Sequence, residues 1–358
     1  MKRLSILVLA TALSVAAMAQ DIHFSQFYMA PLQLNPAMTG VMNCNQRIGI
    51  NYRNQWASVL REKAFQTSQV AYDAKIPVGR YDYFGLGGSV WGDAAGSLNF
   101  RSTLLNLNFA YTKKMGGYRK KASYLSMGAK VGLAQRGLNL LAAQWGSQND
   151  GNGAFDPSRP SNEPVFGVNG RDNFLFADIS AGLMWFSVMD ESNNFYIGGA
   201  YDHINRANQS FNADPKAAAV PLLSKFTVHA GGEFQSSDRI TWLPGIVTFL
   251  QGPYLQVNGG SSIRFLLGNS KRSAEAIQFG AWARLGNKVN EDNKAGGVLM
   301  DALIFSTRFD YSQFSLGFSY DYNVSALRAA TNGNGSFEFA LQYKICGNER
   351  RNVYCPNF

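Results

Sequence analysis

Beyond residue 19 the chain has no apolar stretch long enough to cross a membrane as a helix. The longest run, Thr241 to Leu250, is broken by Pro244 and reaches only about half of the ~20 residues that such a crossing needs. Histidine is equally scarce. His23, His203 and His229 stand far apart, with no HExxH pattern and no Cys/His cluster, so a catalytic zinc site is excluded as a reading. Gly85-Leu86-Gly87-Gly88 and Gly333-Asn334-Gly335 lack the Lys-Ser/Thr of a phosphate loop and the strand-loop-helix setting of a dinucleotide fingerprint. No nucleophile elbow is present. The chain therefore reads as a non-enzyme with no cofactor. The net charge of +9 is spread among strands and turns instead of forming the clustered patch that nucleic acid requires.

The first 19 residues carry the three parts of a secretory leader: Lys2 and Arg3, an apolar run from Leu4 to Ala16, and the small-x-small site Ala17-Met18-Ala19. The mature chain is expected to begin at Gln20. Three cysteines in an exported chain allow at most one internal disulfide. Cys346 and Cys355, close in sequence, are the expected pair, leaving Cys44 over.

From Arg47 onward one theme repeats: about ten residues with apolar and polar side chains alternating, then a turn rich in Gly, Asn, Asp, Lys or Ser. Leu105, Leu107, Phe109 and Tyr111 alternate with Asn106, Asn108, Ala110 and Thr112. Leu125, Met127, Ala129, Val131 and Leu133 alternate with Ser126, Gly128, Lys130 and Gly132. Phe337, Phe339, Leu341, Tyr343 and Ile345 alternate with Glu338, Ala340, Gln342 and Lys344. A period of 2 sends the two sets to opposite faces of a sheet. Weaker runs fill the intervals, including Arg47–Gln55, Thr67–Lys75, Gly245–Leu250 and Phe314–Asp321, and bring the count to about fourteen, an even number within the range of bacterial outer-membrane barrels.

The connections agree. With a periplasmic start, the odd-numbered connections face outward, and the two longest, Gly137 to Asn173 and His203 to Lys225, are both odd. A soluble two-sheet sandwich also alternates, but it needs a second apolar layer where this chain offers Asn, Ser, Gly and Lys. Aromatic residues make up 13% of the chain, and Tyr111, Trp185, Tyr201 and Tyr343 near strand ends suit the interfacial girdles of a barrel. The expected architecture is an all-β, transmembrane, antiparallel up-and-down barrel over residues 47–345. It follows a leader (1–19) and an N-terminal segment (20–46), and a short periplasmic tail (346–358) ends the chain. Arg47, Arg53, Asp73, Lys75, Lys130, Asp178, Asp202, Arg284, Glu338 and Lys344 face inward, which suggests a wet, mixed-charge wall.

Residues 20–40, QDIHFSQFYMAPLQLNPAMTG, fit neither periodicity, and Pro31 and Pro36 break any helix or central strand. This stretch is expected to be extended and to fold beneath or into the periplasmic mouth as a partial plug, or else to dock a periplasmic partner. His23, Phe24, Ser25, Gln26, Phe27, Tyr28, Pro31, Asn35 and Pro36 would carry either role. In one periplasmic turn Lys113, Lys114, Arg119, Lys120 and Lys121 cluster, and in another Lys271 and Arg272. Such clusters are usually solvated, and the functional alternative is contact with an acidic partner or lipid headgroups.

Four stretches carry a family resemblance. HFSQFYMAPLQLNPAMTG at residues 23–40, Tyr52-Arg53-Asn54-Gln55-Trp56, Ser319 to Ser325 followed by Gly335-Ser336-Phe337-Glu338, and the ending Cys355-Pro356-Asn357-Phe358 all resemble motifs of the PorP/SprF proteins. Asn357 stands where a basic residue is more usual. The resemblance implies an outer-membrane barrel associated with the Bacteroidetes type IX secretion system, supporting secretion or surface attachment of cargo such as gliding adhesins. It implies outer-membrane lipid, periplasmic secretion components and secreted cargo as partners, and no catalytic residues. A general diffusion porin is the competing reading, favoured by the wet lumen.

Overall fold

The computed structural model describes residues 21–117, 121–139, 143–150, 154–156, 158–159, 172–190, 192–212, 214, 216, 218–268, 275–289, 295–347 and 355–356. The expected leader (residues 1–19), Arg119, Lys120, Lys271, Arg272 and most of the C-terminal tail lie outside the described residues.

Fourteen strands follow one another: β1 (Gln46–Gln55), β2 (Phe65–Val78), β3 (Asp82–Ala95), β4 (Phe100–Gly116), β5 (Ala122–Gly137), β6 (Asn173–Val188), β7 (Asn194–Asp202), β8 (Lys225–Ser237), β9 (Ile240–Gln251), β10 (Tyr254–Leu266), β11 (Ala276–Val289), β12 (Ala295–Tyr311), β13 (Phe314–Asn323) and β14 (Asn334–Ile345). Each pairs antiparallel with its chain neighbours. β1 closes on β14 from Gln46↔Ile345 to Gln55↔Ser336, so the sheet has no free edge. Closure pairs the backbone of every strand, the condition for a sheet to stand in hydrocarbon.

The alternation expected from the sequence sets the two faces. Leu105, Leu107 and Phe109 are exposed while Asn106, Asn108 and Thr112 are buried, and the same phase runs around the barrel. By that alternation the outward positions of the strands carry charge only near the ends: Asp82 and Lys113 toward one mouth, Arg101 toward the other. β9 begins at Ile240, five residues before its expected start. Pro244 is tolerated inside it because the β8 ladder is interrupted there, passing from Gly231↔Gly245 to Phe234↔Trp242, so the missing proline N–H leaves no partner stranded.

The two mouths differ. At the first, where β1 starts and β14 ends, strands join through short turns at residues 79–81, 189–193, 238–239 and 312–313. At the second lie the long connections 138–172 and 203–224, with 56–64 and 324–333 and the short 96–99, 252–253 and 290–294. We call these the turn mouth and the loop mouth.

The disulfide differs from expectation. Cys44 pairs with Cys346, not Cys346 with Cys355. Although 302 residues apart, the two cysteines flank the start of β1 and the end of β14, and closure of the barrel makes them neighbours. Cys355 is instead buried at the turn mouth, its amide donating to Asn43 Oδ1 at 2.6 Å and its Sγ 3.6 Å from the Tyr83 hydroxyl.

Candidate functional site

Residues 21–44 lie inside the barrel and run its full height. They are not extended. Phe27–Met29 form a 3-10 turn, Pro31–Leu34 one turn of α-helix and Pro36–Met38 a second 3-10 turn. Each proline opens its turn, where a missing N–H costs nothing and the fixed φ favours helical geometry. The same residues that exclude a long helix therefore start short ones. Asn35 caps the last turn, its Oδ1 accepting from the Ala37 amide at 2.8 Å.

Near the turn mouth the segment supplies an apolar core. Ala37, Met38 and Val41 cluster with Tyr83, Tyr124, Phe186, Val188 and Cys355, filling a lumen that a barrel of this size cannot fill from its own wall. The segment's backbone presses on the wall where the inward residue is glycine. A Cβ at Gly128 would overlap the Pro36–Ala37 backbone, and one at Gly85 would overlap the Thr39 carbonyl. Polar anchors flank these contacts. Ser126 Oγ donates to the Ala37 carbonyl at 2.6 Å, Asp73 accepts from the Gly40 amide at 2.8 Å while ion-pairing Arg47 at 2.9 Å, and Lys75 Nζ donates to the Met42 carbonyl at 3.0 Å. At mid-height Asn35 Nδ2 meets the Leu183 and Gly199 carbonyls and His229 Nε2.

Toward the loop mouth the packing becomes ionic. Glu338 accepts from the Ser25 amide at 2.5 Å, the Gln26 amide at 2.9 Å and Arg53 at 2.6 Å. Asp321 accepts from Ser25 Oγ at 2.8 Å and pairs with Arg284 at 2.8 Å. At the mouth itself Asp21 lies 2.6 Å from His203 Nε2 and 3.1 Å from Lys225 Nζ, and its amide donates to Gln251. These partners sit at the loop-mouth ends of β7, β8 and β9. His203 Nδ1 is 2.8 Å from Asp178, so both ring nitrogens face carboxylates and both carry protons. Burial opposes the charge on His203, but Asp21 and Asp178 outweigh it and hold its pKa up to about 9. Burial likewise opposes ionisation of Asp21, and His203 and Lys225 reverse that, keeping its carboxyl well below the usual range.

Of the residues singled out from sequence, His23, Phe24, Ser25, Gln26, Phe27, Tyr28, Pro31, Asn35 and Pro36 all lie within the lumen, with Phe24, Ser25, Gln26 and Asn35 fully enclosed. Lys113, Lys114 and Lys121 lie at the turn mouth, away from the segment. Nine of the ten inward charges are buried, Lys344 being half-buried. Their burial has two sources: Arg53, Asp73, Lys75, Arg284 and Glu338 are hydrogen-bonded by the segment, whereas Lys130 and Asp202 pair with each other and Asp178 pairs with His203. Sequence reading did not single out Asp21, His203, Lys225 or Asp321 as site residues, although Asp21 lies in the 20–40 stretch and Asp321 in the Ser319–Ser325 motif, because the contacts Asp21–His203, Asp21–Lys225 and Ser25–Asp321 form only once the segment threads the barrel. Among the described residues no group of three or more His, Cys, Asp or Glu is arranged to hold a metal.

A family model described as "Type IX secretion system membrane protein PorP/SprF" matches residues 16–343. No curated protein matches the chain. Among solved structures, CdiB from Acinetobacter baumannii is similar at 8% identity and a TM-score of 0.44, over 84% of this chain and 60% of that one. The chain thus spans 60% of the length of that protein. The Pseudomonas putida toluene transporter TodX is similar at 12% identity and a TM-score of 0.45, over 92% of this chain and 93% of that one.

Proposed function

The chain belongs to the PorP/SprF family of type IX secretion system membrane proteins, a bacterial outer-membrane β-barrel, and on that premise we propose that it works as a closed anchor, not as a diffusion channel. It supports secretion or surface attachment of cargo proteins of the gliding-adhesin type and engages periplasmic secretion components. The observation that carries this reading is the lumen. Residues 21–44 occupy it from mouth to mouth and are tied to the wall by the ion pairs of Asp21, by the Ser25 and Gln26 amides donating to Glu338, by Asn35 and by the apolar cluster around Met38. A diffusion channel needs a continuous water path, whereas among the described residues the spaces beside the segment are small and separate: about 40 Å³ by Phe27, Tyr28 and Trp282, about 20 Å³ by His23 and Phe249, and about 10 Å³ by Met29 and Leu32.

The distribution of connections supports an orientation with the turn mouth in the periplasm and the loops outside, since short periplasmic turns and longer outer loops are the rule for such barrels. In that orientation the segment serves as a plug whose N-terminal end faces outward and whose C-terminal end joins β1 on the periplasmic side. Two experiments test the reading. Purified protein in planar bilayers is expected to show little conductance, and a steady large conductance overturns the closed anchor. Deletion in the native host is expected to abolish surface display of a specific cargo, and unchanged display of every surface protein overturns the secretion role.

A further inference from the structure

The outer face of β3, β4 and β5 carries a groove beside the turn mouth, with a volume of about 510 Å³ and an almost wholly apolar lining. Its walls are Phe84, Leu86, Phe109, Tyr111 and Met127, with Ala129 as the one small outward side chain among them. Its floor is the cross-strand row Gly85↔Ala110↔Gly128. The two floor glycines are those pressed from inside by Thr39 and Pro36–Ala37, so here the wall is one backbone thick.

At the turn-mouth end of this groove stand the basic residues that the luminal site leaves unused. Lys113 lies two residues beyond Tyr111 on the same face, roughly 7 Å along the strand, and is the outward strand cation at this mouth. Arg80 and Lys114 both lean on the Tyr81 ring, at 5.2 and 4.0 Å from its centroid, and exposed Lys121 follows in the next turn. Of the acids near them, Asp82 is held by the Tyr111 hydroxyl at 3.0 Å and the Lys114 amide at 2.9 Å, and Asp190, near Lys121, by the Ser192 and Asn193 amides at 2.8 Å. An apolar trough capped by cations at the membrane boundary has the chemistry of one molecule class: a hydrocarbon chain ending in an anion.

We propose that this groove binds one anionic glycerophospholipid of the periplasmic leaflet, an acyl chain lying over Gly85 and Gly128 and the phosphate headgroup on Lys113, Arg80 and Lys121. The volume lies within the roughly 300–1,000 Å³ of small-ligand sites. A lipid tail is no less at home in the bilayer than in the groove, so selectivity resides in the headgroup. A cation near a membrane surface shifts anionic-lipid occupancy about fivefold. The choice of leaflet rests on the orientation proposed above.

The test uses the full-length barrel, purified in mild detergent from its own membrane and then exchanged into nanodiscs of mixed phosphatidylethanolamine and phosphatidylglycerol, with native mass spectrometry as the readout. The wild type is expected to retain one phosphatidylglycerol in preference to phosphatidylethanolamine. Lys113→Ala is expected to lower that preference about fivefold, and Ala129→Phe, which fills the trough from outside without touching the segment, is expected to abolish retention. Lys288→Ala, at the loop mouth, is expected to change nothing. Should Ala129→Phe fail to assemble, as judged by heat-modifiable gel mobility, Lys113→Ala carries the test, since it adds no volume. Equal retention of both lipids, no retained lipid, or a second copy of the chain covering the groove overturns the proposal. Retention of lipopolysaccharide instead overturns it by reversing the orientation, while leaving the closed anchor and its conductance test untouched.

Discussion

Glu338 is the point at which the luminal segment can be loosened without disturbing the barrel. Its side chain, 2% exposed, accepts from two segment amides and from Arg53, while its backbone stays in the β13–β14 and β14–β1 ladders whatever the side chain is. Glu338→Ala strands the Ser25 and Gln26 amides and leaves Arg53 without its close carboxylate, with only Ser25 Oγ at 2.9 Å, the His23 carbonyl at 3.4 Å, Gln55 Oε1 at 3.4 Å and the longer contact to Asp321 at 3.4 Å. Breaking a buried ion pair by removing one partner costs about 3–5 kcal/mol. That cost falls on the docking of residues 21–29, because the turn-mouth half of the segment keeps its own anchors on Asp73 and Ser126. Amide hydrogen exchange in detergent micelles reads the effect by position. Ser25 and Gln26 are expected to exchange about a hundredfold faster or more, the equivalent of at least about 3 kcal/mol at 1.4 kcal/mol per decade, with Ala37 and Gly40 unchanged. Unaltered exchange at Ser25 and Gln26 in a folded Glu338→Ala barrel would falsify the view that this carboxylate pins the segment. A uniform rise along the whole segment would instead overturn the independence of its two halves, because it would mean that the segment docks as one unit.

Three further outcomes are expected. His203, raised in the folded protein from an unfolded value near ~6.5, contributes stability that is complete below that pH and is lost as pH climbs through about 9, whereas depressed Asp21 contributes above ~4 and fails only in acid. Protection of the amides of residues 21–23, that is, exchange relative to the intrinsic rate at each pH, is therefore highest from about pH 4 to 6.5 and falls toward pH 9, and constant protection over that span refutes a role for the Asp21–His203 pair in docking the segment. Gly128→Val drives a side chain into the Pro36–Ala37 backbone and is expected to destabilise docking by about 1–3 kcal/mol or more, seen as conductance events in planar bilayers absent from wild type. Reduction of Cys44–Cys346, or Cys44→Ser, lowers barrel stability by about 2–5 kcal/mol in a thermal gel-mobility assay, whereas Cys355→Ser leaves the seam disulfide intact by mass.

The barrel was legible because alternation is a local property. Leu105 and Asn106 declare their faces from a few neighbours, since lipid and interior impose opposite demands on successive side chains. Even β9, where Pro244 hides the strand's first half, was found from its remainder. The luminal segment was legible only as an anomaly: Pro31 and Pro36 ruled out long regular structure, and nothing local revealed that each would open a turn of its own.

The order of apolar and polar side chains by itself determined the strands, their approximate number and which charges point inward, because faces follow from periodicity within a strand and the count from the turns between strands. Only the tertiary structure decided what the charges meet. Arg53 finds Glu338, and Cys44 finds Cys346, because β1 closes on β14 at the far end of the chain. Asp21 finds His203 and Lys225 because the segment traverses the whole lumen. Contacts between residues hundreds of positions apart depend on closure and threading, and neither leaves a periodic trace in sequence.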